Sequence, residues 1–136
     1  ASGARVLTPH PGEAARLLGT SSAVVQADRY AAAQRIADLA GQVVVLKGAR
    51  TIVAQPGGRM RVCPLDVPAL AVAGSGDVLS GVIAALLARM PAFEAASAGV
   101  MLHALAGQLA ARSDRGLLAR EVADALPSAL EACRKS

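Results

Sequence analysis

Residues 43–46 read Val43-Val44-Val45-Leu46, an unbroken apolar run between Gly41-Gln42 and Lys47-Gly48. Successive strand side chains point to opposite faces of a sheet, so a strand with one wet face alternates apolar and polar residues. A run without alternation belongs to a strand covered on both faces, the habit of parallel sheets sandwiched by helices. The flanking segments agree. Upstream, Asp28 to Ala40 sets Ala33, Ile36, Ala37 and Ala40 on one helical face, and Gly41 ends it. Gly12 to Leu18 reads as a short helix closed by Gly19, with Thr20-Ser21-Ser22 able to cap the next segment. Val6-Leu7-Thr8 reads as a strand end, cut off by Pro9 and Pro11. Downstream, Lys47 to Arg50 turns the chain, and Thr51–Gln55 and Arg59–Cys63 form a hairpin about Pro56-Gly57-Gly58. From Gly76 onward the pattern is helical over Asp77–Arg89, Phe93–Arg112 and Ala119–Ala132. Pro91 and Gly116 punctuate it, and Pro127 should kink or restart the last helix. The expected architecture is an α/β layered fold, a mainly parallel sheet flanked by helices, forming one domain or half-domain over residues 1–136.

Composition narrows the function classes. Hydrophobic residues make up 54% of the 136 and charged residues 18%, which excludes a disordered chain. With 32 alanines, the core must be built from small side chains plus Leu and Val. A base-stacking nucleic-acid surface is excluded by having no Trp, one Tyr (Tyr30) and one Phe (Phe93). The net charge of +4 is scattered rather than gathered into a stripe. Cys63 and Cys133 lie far apart without a CxxC, so the pattern supports no zinc site and suggests two free thiols in a reducing cytoplasm. The longest apolar stretch, Val78 to Ala88, stops at Arg89, well short of the ~20 residues that span a bilayer. The opening ASGARVLTPHPGE lacks the apolar core of a signal peptide.

Three segments carry chemistry. Ala73-Gly74-Ser75-Gly76-Asp77 leads into an apolar helix. Glycines let a backbone approach a ligand, and the unpaired N–H groups of a helix start make an anion site. Asp77 beside it is placed to take a proton from a hydroxyl; alternatively it is only an N-cap on a plain loop. Lys47-Gly48-Ala49-Arg50-Thr51 follows the apolar strand, at the strand end where α/β sheets bind ligands. There Lys47 suits a phosphate, or else a solvated β-turn. Thr8-Pro9-His10-Pro11-Gly12-Glu13 follows the first strand. Its prolines stiffen the loop and aim His10 at a substrate and Glu13 at a metal through water, unless Glu13 merely favours a helix start. His103, within an apolar helix, reads as a packed core histidine.

Together LTPHPGEAARLLG (7–19), VVVLKGART (43–51), AGSGDVLSGVIAALL (73–87) and GVMLHALAGQLA (99–110), with the closing GLLAREVADALP (116–127), resemble the NAD(P)H-hydrate dehydratases. These are ribokinase-like enzymes that use ADP in most bacteria and ATP in eukaryotes. The resemblance implies repair of a damaged nicotinamide cofactor. A phosphoryl group is transferred to the hydroxyl of hydrated NADH or NADPH, and phosphate then leaves to restore the ring double bond. It implies Asp77 as the base and a hydrate contact, His10 as a second hydrate contact, and Gly74, Ser75 and Gly76 as the anion hole. It further implies Lys47, Gly48, Ala49, Arg50 and Thr51 along the nucleotide, and Glu13 at the acidic position used for magnesium. The expected ligands are ADP or ATP, Mg2+ and the hydrate. A cytoplasmic homo-oligomer without nucleic-acid or membrane partners is expected. The family often has Asn before the Pro ahead of its glycine loop; here the pair is Val67-Pro68. The match begins in the family's middle, so the chain resembles the carboxyl-terminal half of the usual domain and is expected to be inactive alone. Two other readings stand beside this one. A vitamin-precursor kinase of the same superfamily would use the same glycine loop but lack the Thr-Pro-His-Pro-Gly-Glu string, and an inactive nucleotide-binding half-protein would keep only the loop.

Overall fold

The computed structural model describes residues 5–71, 74–111 and 119–135. Ala73, Arg112 and residues 116–118, which entered the sequence expectations, lie outside them. In chain order the elements are β1 (Val6–Leu7), α1 (Pro11–Leu18), α2 (Ser22–Ala27), α3 (Arg29–Ala40), β2 (Val43–Leu46), β3 (Ile52–Ala54) and β4 (Met60–Val62). A 3-10 turn (Pro68–Leu70) precedes α4 (Ser75–Leu87), α5 (Ala92–Ala110) and α6 (Ala119–Lys135). The helix ends follow local chemistry. Ser21 caps α2, Asp28 caps α3, and Gly19 and Gly41 close α1 and α3 in the left-handed conformation. Helix α6 continues through Pro127 without the restart that was one of the two expected outcomes. Buried Val122 and Ala129, one on either side of the proline, fasten the helix against Ala106 of α5.

The strands form one sheet in the order β1-β2-β3-β4. The β1–β2 pairing is parallel, whereas β2–β3 and β3–β4 are antiparallel. The sheet is therefore mixed, and only one of its three pairings is of the kind expected to predominate. Residues 47–51 are too few for the crossover of a dozen or more that a parallel return needs, so the chain folds straight back. The apolar run of β2 has its cause in cover rather than direction. Val44 and Leu46 pack with Ala33, Ile36 and Ala37 of α3 on one face. Val43 and Val45 pack with Leu79 and Ile83 of α4 and with Ala96 and Val100 of α5 on the other. All four β2 residues are buried. Among the described residues β1 pairs only with β2.

Candidate active site

Parallel strands end on the same side, so β1 and β2 deliver the segments after Leu7 and Leu46 next to each other. The Lys47 amide donates to the Pro9 carbonyl at 3.0 Å, joining the two. On this side the structure forms a half-open cavity of about 730 Å3. His10 and Pro11 line it from the first segment, and Lys47, Gly48, Ala49 and Thr51 from the second. Ser75, Gly76 and Leu79 contribute from α4, Val100, His103 and Ala104 from α5. The stretch between the hairpin and α4 adds Cys63, Leu65, Asp66, Val67 and Leu70.

The two polar walls meet across a glycine. A Cβ on Gly76 would lie 3.2 Å from the Lys47 ammonium, so the absent side chain is what lets the cation sit against the start of α4. Gly74 takes the N-cap position at φ 86°, a conformation that favours glycine, and no side chain caps the helix. Ser75 could have bonded the free amides, but its Oγ lies 3.0 Å from His103 Nε2 in a buried pair. The first N–H groups of α4 are thus left for another acceptor, beside a lysine.

His10 is more than a wall residue. Its Nδ1 accepts from the Gly12 and Glu13 amides at 3.1 and 3.2 Å, while Glu13 Oε1 accepts from the His10 amide at 3.0 Å. This is a capping box with histidine in the place usually held by Ser or Thr. A nitrogen that accepts carries no proton, so the neutral Nε2–H tautomer fits, with Nε2 3.3 Å from Glu13 Oε1. The hydrogen bond from the His10 amide holds the Glu13 carboxyl below its ordinary pKa, against the opposing effect of burial and with help from nearby positive charge. Burial pulls the pKa of His103 down, and Lys47 lowers it further, while hydrogen bonding at Ser75 opposes both.

The structure brings together Lys47, Gly48, Ala49, Thr51, Ser75, Gly76 and His10. It leaves Arg50, Gly74, Asp77 and Glu13 off the cavity wall. Asp77 is exposed in the first turn of α4, one residue beyond Gly76. Glu13 is engaged at the start of α1 and lines a second, smaller hollow with Arg16. Among the described residues no group of three or more His, Cys, Asp or Glu side chains gathers to hold a metal. Sequence reasoning missed Asp66 and its apolar neighbours Leu65 and Leu70. A lone carboxylate in an apolar loop framed by Pro64 and Pro68 was the available signal. It also missed Arg29, whose guanidinium reaches the Lys47–Thr51 turn from below.

A mixed sheet between helices, with a glycine-led helix start facing a lysine at the strand ends, defines an α/β layered protein of the ribokinase-like kind. The chain superposes at TM-score 0.87 and 36% identity on the ADP/ATP-dependent NAD(P)H-hydrate dehydratase of Bacillus subtilis, over 93% of this chain and 47% of that one. It also superposes at TM-score 0.79 and 32% identity on a ribokinase-like superfamily protein of Enterococcus faecalis, over 93% and 44%. The chain belongs to the NAD(P)H-hydrate dehydratase family, whose model matches residues 1–128. It is 52% identical to the ADP-dependent (S)-NAD(P)H-hydrate dehydratase of Neisseria meningitidis, across 88% of this chain and 42% of that protein. It is 47% identical to the bifunctional NAD(P)H-hydrate repair enzyme Nnr of Moorella thermoacetica, across 94% and 25%. The chain thus spans less than half the length of these curated relatives.

Proposed function

We propose that the protein carrying this chain restores hydrated NADH or NADPH by ADP-dependent dehydration, and that the 730 Å3 cavity takes the nucleotide phosphates. The observation that carries this is the Lys47 ammonium held against Gly76 at the uncapped start of α4, together with the family membership. A cation and free amides converging on one point stabilise a transferring phosphoryl group. Lys47, Gly48, Ala49 and Thr51 bind the nucleotide, with Arg50 contributing its backbone. Ser75 and Gly76, held by Gly74, form the anion hole. His10 orients the hydrate beside them. Asp77 accepts the proton of the ring hydroxyl as that oxygen takes the terminal phosphoryl group of ADP, leaving AMP; loss of phosphate from that ring carbon and of a proton from its neighbour then restores the double bond. Its exposure one residue past the anion hole leaves the carboxylate open to a substrate.

Magnesium supplies charge neutralisation between phosphates when bound. Glu13, whose carboxylate already accepts from the His10 amide in its capping box, would hold it through water. Nicotinamide cofactors are intracellular, which makes the cytoplasm the working compartment. Asp77→Asn tests the assignment in the protein carrying this chain. The amide is nearly isosteric but no base, so turnover of the hydrate with ADP should fall by about 10²–10⁴-fold while ADP affinity is kept. Near-normal turnover would remove Asp77 from the role.

A further inference from the structure

We infer that Arg29 is the positioning residue of the nucleotide turn, acting from the face opposite the cavity; the inference rests on the proposal that this cavity takes a nucleotide. Arg29 opens α3, and its side chain crosses to the far end of β2. Nη1 donates to the Ala49 carbonyl at 2.6 Å and Nη2 to the Leu46 carbonyl at 3.4 Å, so one planar group grips the turn before and after Lys47-Gly48. Gly48 makes room for it. A Cβ there would lie 2.8 Å from Nη2, and its φ of 152° is one that side chains rarely adopt. Arg50, two residues further on, is the one non-glycine residue with positive φ among those described, at 55°. Such a conformation persists only where neighbours over-determine it. Arg29 Nε is buried and has no hydrogen-bond partner among the described residues, so the two Nη atoms alone carry the polar contacts of this partly buried group with the turn.

The consequence for binding follows from peptide geometry. The C=O and N–H of one trans peptide point in opposite directions. Drawing the Ala49 carbonyl toward Arg29 therefore aims the Arg50 amide away from it. Gly48, Ala49 and Thr51 lie on the cavity wall and Arg29 does not, so the turn stands between the guanidinium and the cavity. Arg29 thereby holds two carbonyl oxygens, which would repel a phosphate, away from the cavity that Gly48, Ala49 and Thr51 line. A lysine could not substitute: a point cation reaches one carbonyl, whereas the fork reaches both.

The test uses the protein carrying this chain, with ADP affinity by calorimetry, KM and kcat for the hydrate, and thermal melting as readouts. The variants are Arg29→Gln and Arg29→Lys, with exposed Arg35→Gln as the control. Loss of two hydrogen bonds from a charged group should weaken ADP binding by about tenfold or more in both Arg29 variants. The hydrate KM should stay unchanged, kcat should stay within about twofold, and Arg35→Gln should match wild type. Arg29→Lys keeps stem and charge and so remains informative if Arg29→Gln fails to fold. Wild-type ADP affinity in Arg29→Lys, or a lowered melting temperature with unchanged affinity, overturns the inference and leaves the nucleotide site standing. Failure of the unaltered protein to bind ADP or ATP overturns both, and is read from the unaltered protein alone.

Discussion

Ser75 and His103 are the buried polar residues of the described core, and each satisfies the other. A histidine placed this way has to be neutral, because burial penalises the imidazolium. Its folded pKa lies below the ordinary value near 6.5, so the unfolded chain binds the extra proton first as pH falls. The stability this residue contributes is therefore present above pH ~6.5 and is lost as pH drops through that value toward and past the folded pKa. Melting temperatures taken from about pH 7.5 to 5.5 should decline more steeply in the unaltered protein than in His103→Gln, which has nothing to titrate there. Superimposable slopes would show that His103 contributes no proton linkage. The sequence placed His103 in the core, and it is there. What one residue in isolation could not reveal is its partner, because Ser75 is 28 positions away and meets it only when α4 and α5 pack.

Between elements, contact distance is set by missing side chains. Helix α5 presses Gly107 against Leu70, where a Cβ would come within 2.6 Å of the leucine, and Gly99 against Ile83 at 2.7 Å. Leu70 lines the cavity, so Gly107→Ala should both crowd the core, at a cost of about 1–3 kcal/mol, and push Leu70 into the ligand space. Gly81 of α4 is the counterpart: nothing lies within 4 Å of where its Cβ would be. Gly81→Ala should accordingly stabilise by about 0.5–1 kcal/mol through helix propensity alone. Denaturant melts of the two variants should therefore move in opposite directions, and equal shifts would contradict this account of the helix packing. At this scale much was legible in the sequence. The face of α3 at Ala33, Ile36 and Ala37, the hairpin about Gly57-Gly58 and the two-sided burial of β2 follow from periodicity and turn chemistry, whereas Ala40, expected on the same face, stands exposed at the end of α3. Strand direction did not, since the apolar run of β2 reports cover on both faces and is silent about hydrogen-bond sense. The cavity wall was legible only where strand ends and glycines marked it. Leu65, Asp66 and Leu70 sit in irregular backbone without a period to read.

Across the whole molecule, the parallel strand β1 is paired on one side only among the described residues. Leu17, Val24 and Leu39 stand exposed on the helices covering the same half of the sheet. An open edge with apolar neighbours favours association. Residues 1–136 purified alone should elute larger than a monomer in size-exclusion chromatography and should not turn over the hydrate with ADP and magnesium. An active monomer would show that this length of chain suffices. The cavity also has a history written into its wall, which runs from His10 to His103, 93 residues apart, by way of three other separated stretches. At synthesis rates of about 5–20 residues per second, His103 emerges from the ribosome roughly 5–20 s after His10. Until it does, Ser75 has no partner and the pocket no floor. The cavity is in that sense a late event in the life of each newly made molecule, complete only once the chain from residue 10 to residue 104 has been made.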